Sequence, residues 1–359
     1  MRISRGTWLL LVFGIITAFS VGFWSLINPE PTVYDDEQHH LHQETIIKFN
    51  LTDAENSPRG LAAKYFADLV ETYTNGQIRV DLFPNAVLYD EPSEIEALQN
   101  GNVQMIAPSF SYLAEISPKW AVMDLPFAFP NDEAVQAALH GEIGKRLLQE
   151  LDKNEMVGMD FWRGGFKQII SSKGPLLHPS DFHGLVFAAP PSRVIESQFD
   201  ELNAKSVIIP FSQVYHSSET GQINGEEATI ANIYRANLYQ IQKYITLSGH
   251  GYLGYCVIMN KKFWNNLPAA RQAEIKRAMD EATAWANRYE IQFNSEKLEE
   301  LQKVSSLHIT QLSPSQHNEW VAATLPVYEK SIPVIGKELI QDIKEIRQKY
   351  EQFTLDPNL

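Results

Sequence analysis

Cysteine is almost absent from this chain of 359 residues, which contains only Cys256. A single cysteine excludes an intrachain disulfide framework and any metal or iron–sulfur site built from several thiolates. Because Cys256 lies in an apolar run, we interpret it as a buried small hydrophobic residue rather than a reactive thiol. Positive charge is also scarce, since the chain has 30 lysines and arginines but 44 acidic residues, which gives a formal net charge of −14. This balance argues against nucleic acid or anionic membranes as partners, so an anionic ligand needs a local basic site.

Motifs that identify enzymes are missing as well. The chain has no phosphate-binding G-x-x-x-x-G-K, no G-x-S-x-G nucleophile motif and no H-E-x-x-H zinc motif. The glycines at 249–254 match the dinucleotide-binding pattern, but they lead into a strand instead of opening a helix. Glu226 and Glu227 are neighbours that point in different directions, so we predict one exposed acid and one structural hydrogen-bond acceptor. No reaction and no cofactor is predicted.

Long uncharged runs are equally rare, and the one that occurs lies at the start of the chain. Arg2 and Arg5 precede residues 8–27, which carry no charge and are long enough as a helix, about 30 Å, to cross a bilayer. A cleavable secretory signal with a weak small-residue site at 18–20 is the alternative for residues 1–28. We favour an uncleaved anchor. Under either interpretation the rest of the chain is exported, which predicts an extracytoplasmic location.

A polar, acidic tether follows at 29–44. It contains His39, His40 and His42, but no regular structure is predicted to fix them. A solvated linker is therefore favoured over a metal site.

From residue 45 onward, strand-like segments alternate with amphipathic helices. Ser57 is predicted to cap the first helix, with Pro58 at its first position. Repeated units of this kind predict an α/β fold with mostly parallel sheets and helices on both faces. Strands are predicted at 46–49, 78–82, 103–107, 157–162, 185–189, 207–209 and 252–259, and helices at 58–74, 91–98, 133–151 and 193–202.

Residues 269–305 contain no proline or glycine and carry recurring apolar residues. This pattern predicts one long helix, or two abutting ones. A helix of this length, about 50 Å, exceeds one small domain. Because the chain is long enough for two core-bearing domains, we predict that the helix braces both.

Seven short segments have the order and spacing of a known family. They are Glu-Ile-Glu-Ala-Leu-Gln-Asn-Gly at 94–101, Asp-Leu-Pro-Phe-Ala-Phe at 124–129, Gly-Phe-Lys-Gln at 165–168, Pro-Phe-Ser-Gln-Val-Tyr at 210–215, Asn-Gly-Glu-Glu at 224–227, Asn-Ile-Tyr at 232–234 and Gly-His-Gly-Tyr-Leu-Gly-Tyr at 249–255. Together they resemble the extracytoplasmic solute receptors of tripartite ATP-independent (TRAP) transporters, dicarboxylate-binding type, over residues 46–346. The N-terminal run and tether further resemble a membrane-tethered subgroup that presents four-carbon dicarboxylates to a transporter and its sensor kinase.

The resemblance implies a two-lobed clamshell, like a periplasmic binding protein, with the ligand between the lobes and the long helix bracing both. The solute-binding region then spans 45–359. Lobe 1 is expected at about 45–160 and 215–255, lobe 2 at about 161–214 and 256–300, and C-terminal helices at 301–359.

The resemblance also locates the expected anion contacts, two of which are lost. An arginine on a strand of the second lobe falls at Ala188, and an asparagine falls at Ala228. Lys167 occupies the position of a second family arginine, and Arg163 lies nearby. An ammonium attracts a carboxylate without the paired hydrogen bonds of a guanidinium, so orientation suffers more than attraction. Two glycines between Arg163 and Lys167 would let them converge at a strand exit; surface charges on a loop are the alternative.

Aromatic and polar residues complete the expected site. Phe211 and Tyr215 follow a strand at a helix start, where backbone N–H groups favour anions. For each tyrosine, a place in the core competes with a place in the cleft. The ligand-binding residues predicted from the resemblance are Lys167, Arg163, Phe211, Tyr215, Glu227, Tyr89, Ser109 and Tyr252, with Tyr255 on the same loops.

Two functions remain open at this point. The first is a solute receptor that closes on a small organic anion such as a dicarboxylate and docks on membrane transporter subunits. The second is a tethered sensing subunit that reports its ligand to a sensor kinase. Both depend on a ligand that favours the closed state of a hinge, so sequence barely separates them.

Overall fold

The computed structural model describes residues 45–354, with side chains to residue 351. The predicted anchor, the tether and its three histidines lie outside these residues. Within the described range, no helix combines the length and apolarity needed to span a bilayer.

Strands and helices alternate along this range as predicted. The strands are β1 Thr45–Asn50, β2 Ile78–Phe83, β3 Met105–Ile106, β4 Met156–Ser171, β5 Val186–Ala189, β6 Lys205–Ile208, β7 Gly225–Ala228, β8 Tyr244–Asn260 and β9 His308–Gln311. The helices are α1 Pro58–Tyr73, α2 Glu91–Gln99, α3 Phe110–Leu113, α4 Asp132–Leu139, α5 Glu142–Lys153, α6 Arg193–Glu201, α7 Phe211–Glu219, α8 Ile230–Arg235, α9 Lys261–Asn266, α10 Ala269–Gln302, α11 Pro314–Thr324, α12 Pro326–Ile335 and α13 Lys337–Thr354. Short 3-10 helices occupy Pro118–Asp124, Pro179–Phe182 and Leu238–Gln240.

Local signals set most helix boundaries. Ser57 caps α1 as predicted, because its hydroxyl accepts a hydrogen bond from the N–H of Gly60. The single helix predicted at 133–151 is wrong, since α4 and α5 are separated at His140 and Gly141. The chain turns so tightly there that a Cβ at position 141 would clash with the carbonyl oxygen of Ala137. Helical periodicity continues across the break and conceals it.

The strands form one mixed sheet in the order β2-β1-β3-β8-β4-β7-β5-β6, with β9 beside β8. Parallel pairs join β5 to β6 and to β7, and β1 to β3. The longest pairing, between β4 and β8, is antiparallel. The prediction of mostly parallel sheets is therefore wrong for the centre of the sheet, where two strands of 16 and 17 residues replace short βα units.

Strand β4 does not end at residue 162 as predicted. It continues through Gly164 and Gly165 to Ser171, and a register shift against β8 between Arg163 and Gly165 accommodates the extra residue. Gly165 has a φ of +108°, a conformation that glycine adopts without strain. The two glycines thus form a β-bulge inside a continuous strand.

Helix α10 is one uninterrupted helix of 34 residues, about 51 Å long, as the first alternative predicted. It packs against α1, β4 and α8. Ile275, Met279 and Ala282 on its inner face are fully buried in an apolar cluster with β1. The helix therefore links elements that lie at different ends of the sheet order.

Strand pairing crosses the expected lobe boundaries at two places. Ile258 and Met259, assigned to lobe 2, pair with β3. Strand β7, assigned to lobe 1, pairs with β5 and with the last residues of β4. The lobe boundaries themselves stay a prediction.

The glycine-rich segment at 249–254 lies inside β8, so it does not form a strand-to-helix phosphate turn. Cys256 on the same strand is free and fully buried, as predicted. Burial raises the pKa of its thiol well above the ordinary value, which removes the thiolate needed for reactivity.

Candidate functional site

A cavity of about 320 Å³ lies next to the carboxyl ends of β1, β5 and β7. Ligands of open α/β sheets bind at such strand ends, and the volume suits a small metabolite. The polar residues that line it are Thr52, Asp53, Arg59, Asn85, Asp90, Glu91, Ser109, Ser111, Tyr112, Lys167, Ser212, Glu226, Glu227, Asn232, Arg235 and Tyr255.

One side of the cavity, which we call the arginine wall, consists of Asp53, Arg59 and Arg235. Arg59 Nε donates to Asp53 Oδ2 at 3.1 Å, and Arg235 Nη2 lies 3.2 Å from Asp53 Oδ1. Burial favours the neutral acid, but the two guanidinium groups outweigh it and hold the pKa of Asp53 below its usual value. Two cations share one carboxylate, so the arginine wall carries a net positive charge.

Arg59 is fixed rigidly within this wall. Its Nη1 donates to the carbonyl oxygen of Ala107 at 2.6 Å, and its guanidinium lies 3.9 Å from the centre of the Tyr255 ring. Glu91 also lines the cavity, and burial raises its pKa to about 7. Near neutral pH, Glu91 is thus partly protonated and only partly offsets the arginines.

A second group of lining residues, which we call the glutamate wall, consists of Lys167, Glu226 and Glu227. Lys167 Nζ donates to Glu227 Oε1 at 2.6 Å, and the two side chains are almost inaccessible to solvent. Burial raises the pKa of Glu227, but Lys167 and His250 outweigh it and keep the carboxyl ionised. The charge of Lys167 is therefore neutralised within the protein.

Both oxygens of Glu227 already have partners within the protein. Its Oε2 accepts from Gln198 Nε2 and lies 3.0 Å from His250 Nε2, while Oε1 binds Lys167. It is the structural acceptor of the adjacent acidic pair, as expected.

The exposed acid that was expected in this pair is not found, because Glu226 is buried as well, with 3% of its surface accessible. Among the described residues, its Oε1 has no hydrogen-bond partner. Burial, followed by the charge of Glu227, raises its pKa to about 8. On β7 it lies directly across from Ala188 of β5, and Ala228 follows two residues later on the same face. The prediction failed because alternation along a strand does not reveal which face is covered.

Four of the eight predicted ligand-binding residues line the cavity: Lys167, Phe211, Glu227 and Ser109. Arg163 is not among the lining residues, and its guanidinium pairs with Asp132 instead. The bulge explains why the two cations do not converge. Arg163 pairs with Gly254 and Lys167 with Gly251, three residues apart on β8, so their side chains leave opposite faces of the sheet.

The three remaining tyrosines do not line the cavity either. Tyr252 is buried with its ring edge-on to Phe166, and burial raises its pKa to about 12. Tyr89 and Tyr215 are partly buried against apolar clusters. Core packing accounts for all three, and their roles in ligand binding stay predictions.

The arginine wall itself was missed by the sequence analysis. Arg59 lies in the first turn of α1, where only the apolar face was considered, and Arg235 directly follows the segment at 232–234. No local pattern in the sequence distinguishes either arginine from a solvated surface charge. Arginine is rarely buried without a partner.

Comparison with known proteins identifies the family of the chain. The model of the bacterial extracellular solute-binding proteins, family 7 (DctP), matches residues 49–333. The chain belongs to this family. Its function is accordingly that of a TRAP-type extracytoplasmic solute-binding protein, and the resemblance seen in the sequence is confirmed.

Several members of family 7 are close in sequence or structure. The C4-dicarboxylate-binding protein DctB of Bacillus subtilis (strain 168) is 42% identical over 339 residues, which cover 94% of this chain and 97% of the relative. A TRAP periplasmic solute-binding protein from Shewanella oneidensis, solved with bound succinate, superposes with a TM-score of 0.82 at 35% identity over 85% of this chain and 99% of its own. The sugar acid binding protein DctPAm from Advenella mimigardefordensis strain DPN7T, solved with galactonate, superposes with a TM-score of 0.82 at 27% identity. The match covers 86% of this chain and 99% of that protein. These neighbours confirm the two-lobed α/β fold.

Proposed function

We propose that this chain holds a small organic acid, such as a dicarboxylate, in the cavity and delivers it to TRAP-type membrane subunits. Relatives named for C4-dicarboxylates and neighbours solved with succinate or galactonate support this class of solute. The observation that carries the proposal is the arginine wall, where two guanidinium groups share the single carboxylate of Asp53 inside the cavity.

A solute carboxylate would bind at the arginine wall. Arg235 is the more accessible of its two cations, and Asn232 and Ser212 add neutral donors nearby. Guanidinium groups bind carboxylates through paired hydrogen bonds, which orient the ligand as well as attract it. This role extends the predicted anion contact from Lys167 to residues that the sequence analysis did not select.

The cavity is lined by residues of both predicted lobes, among them Asp53 and Ser109 from the first and Ala188 and Phe211 from the second. A solute that contacts both sides favours the conformation in which they are close together. Closure would thus report occupancy to the transporter without any bond being made or broken. Sensing through a kinase gains no support from the comparisons.

Outside the cytoplasm, the chain would be held at the membrane by residues 8–27, which have the length and apolarity of a membrane span. Fractionation of cells that express the full chain tests this point. We expect the protein in the membrane fraction with its N-terminus intact, whereas a mature mass that begins near residue 21 would indicate a cleaved signal.

Thermal denaturation of the full-length chain in detergent tests the binding function. Succinate, L-malate, L-aspartate and galactonate form the test set, and succinamide is the matched control because it keeps the succinate skeleton without the charge. At least one acid should raise the melting temperature in a concentration-dependent manner, because it binds the folded chain alone. If every acid behaves like succinamide at millimolar concentrations, the proposal is wrong.

A further inference from the structure

We propose that Glu226 selects the solute, so that the site prefers an organic acid bearing a hydrogen-bond donor, a hydroxyl or ammonium group, over a plain dicarboxylate. This inference rests on the proposed function and specifies its ligand. It starts from one side chain that the protein leaves unsatisfied within the cavity.

Glu226 lines the cavity, is 97% buried, and has no hydrogen-bond partner at Oε1 within residues 45–351. Buried polar groups are nearly always satisfied, and those that are not require an explanation. The neighbours on its face of the sheet supply no donor, because Ala188 and Ile170 lie directly across on the adjacent strands. Ala228, two residues along on the same face, is equally small and apolar. A partner for the Glu226 carboxyl must therefore enter the cavity.

Among the described residues beside Glu226, no free cation is available to bind a second anionic group of the solute. Two alanines beside Glu226 leave space but no positive charge, and Lys167 is already bound to Glu227 at 2.6 Å. Across the cavity, five carboxyl groups face three cations. The acids are Asp53, Asp90, Glu91, Glu226 and Glu227, and the cations are Arg59, Lys167 and Arg235. These charges do not separate succinate from malate, because both are dianions. The difference lies at Glu226, where a hydroxyl or ammonium group can donate to Oε1 and the plain methylene of succinate leaves that atom unpaired.

The two walls thus predict the orientation of the solute. Its carboxylate binds at the arginine wall, and its hydroxyl or ammonium group donates to Glu226. Specificity of this kind is strong, because a site that is built to hydrogen-bond one group leaves a buried polar atom unpaired when that group is missing.

Titration calorimetry of the full-length chain with succinate, L-malate and L-aspartate tests the inference. These acids share one four-carbon skeleton and differ only in hydrogen, hydroxyl or ammonium at the second carbon. We expect malate or aspartate to bind at least tenfold more tightly than succinate, and the stronger of the two distinguishes hydroxyl from ammonium. In Glu226→Met, which removes the acceptor oxygens, this preference should fall to less than threefold. Glu219→Met, an exposed acid at the end of α7, is the matched control and should keep it.

A second variant protects the test against misfolding of the first. Ala188→Arg places a cation directly across from Glu226, so it should supply the missing partner, weaken binding of aspartate or malate, and strengthen binding of succinate. Equal or tighter binding of succinate by the unchanged chain overturns the inference but leaves the receptor function intact. An unchanged preference in both variants also overturns it. Binding of none of these acids, nor of galactonate, overturns the receptor function and the inference together.

Discussion

The arginine wall and the glutamate wall line the same cavity but solve the problem of buried charge differently. In the arginine wall, two guanidinium groups share one carboxylate, so positive charge is left over. In the glutamate wall, Lys167 is fully matched by Glu227, and Glu226 is left over. In each wall, the group that the protein does not neutralise is therefore the one that a solute can pair with. The difference teaches that the count of cations in a site matters less than which of them are already paired.

The largest effect expected from this comparison concerns stability. Arg59→Met removes a buried guanidinium and leaves the Asp53 carboxylate with Arg235 alone, together with an unpaired carbonyl oxygen at Ala107. Breaking a buried ion pair of this kind costs about 3–5 kcal/mol. Urea unfolding should show this loss, whereas Lys64→Met, an exposed lysine on the same helix, should change stability by less than about 1 kcal/mol. If Arg59→Met loses as little unfolding free energy as the control, the ion pairs of the arginine wall contribute little to stability.

The next effect concerns affinity. Arg235→Gln leaves Asp53 bound to Arg59, so the fold should tolerate it, but the accessible cation of the arginine wall is lost. Charged hydrogen bonds contribute about 1.5–3 kcal/mol, which corresponds to a 10-fold to 100-fold weaker binding of the organic acid. Calorimetry measures this change, with the exposed Arg193→Gln as control. Affinity within twofold of the unchanged chain would remove Arg235 from the site.

Lys167→Ala should weaken binding less than Arg235→Gln, by about tenfold. Its ammonium is already neutralised, so most of the loss arises because Glu227 becomes an uncompensated negative charge beside the cavity. The double variant Lys167→Ala with Glu227→Gln should therefore recover most of the affinity. Failure to recover would identify Lys167 as a direct anchor for the anion, as the sequence analysis predicted, and unchanged affinity in the single variant would refute that role.

The smallest effect is a pH dependence of stability. Because the pKa of Glu226 is raised from 4.5 to about 8, the folded chain holds a proton that the unfolded chain releases. Stability from this group is fully present below about pH 4.5 and is lost as the pH rises to about 8. Glu226→Gln should thus melt above the unchanged chain at pH 8 and close to it at pH 5, which thermal denaturation at the two pH values measures. Equal differences at both pH values would contradict the burial of an unpartnered acid.

Most of the fold could be predicted because its signals are local. The serine cap and proline at the start of α1, and the uninterrupted stretch that becomes α10, depend on residues within a few turns of one another. The break between α4 and α5 was missed because helical periodicity continues across it, and the extension of β4 was missed for a different reason. Whether a glycine ends an element or is absorbed as a bulge depends on the strand that pairs with it, here β8.

The site was harder to predict than the fold. Lys167, Ser109, Phe211 and Glu227 were found through the family resemblance, and all four line the cavity. The same resemblance marked Ala188 and Ala228 as losses, but it did not show that Glu226 lies between them. Asp53 and Arg235 are 182 residues apart, and no local pattern connects them. Pairings of that kind arise from the tertiary fold.

The buried thiol of Cys256 makes the chain suitable for fluorescence labelling at introduced cysteines. Because this is the single cysteine and it is fully buried, maleimide dyes should not react with it in the folded protein. Cysteines introduced at two exposed positions in different expected lobes, such as Lys64 on α1 and Arg193 on α6, would then carry a donor and an acceptor fluorophore with little background. Energy transfer between them would follow the hinge in single molecules as solute is added.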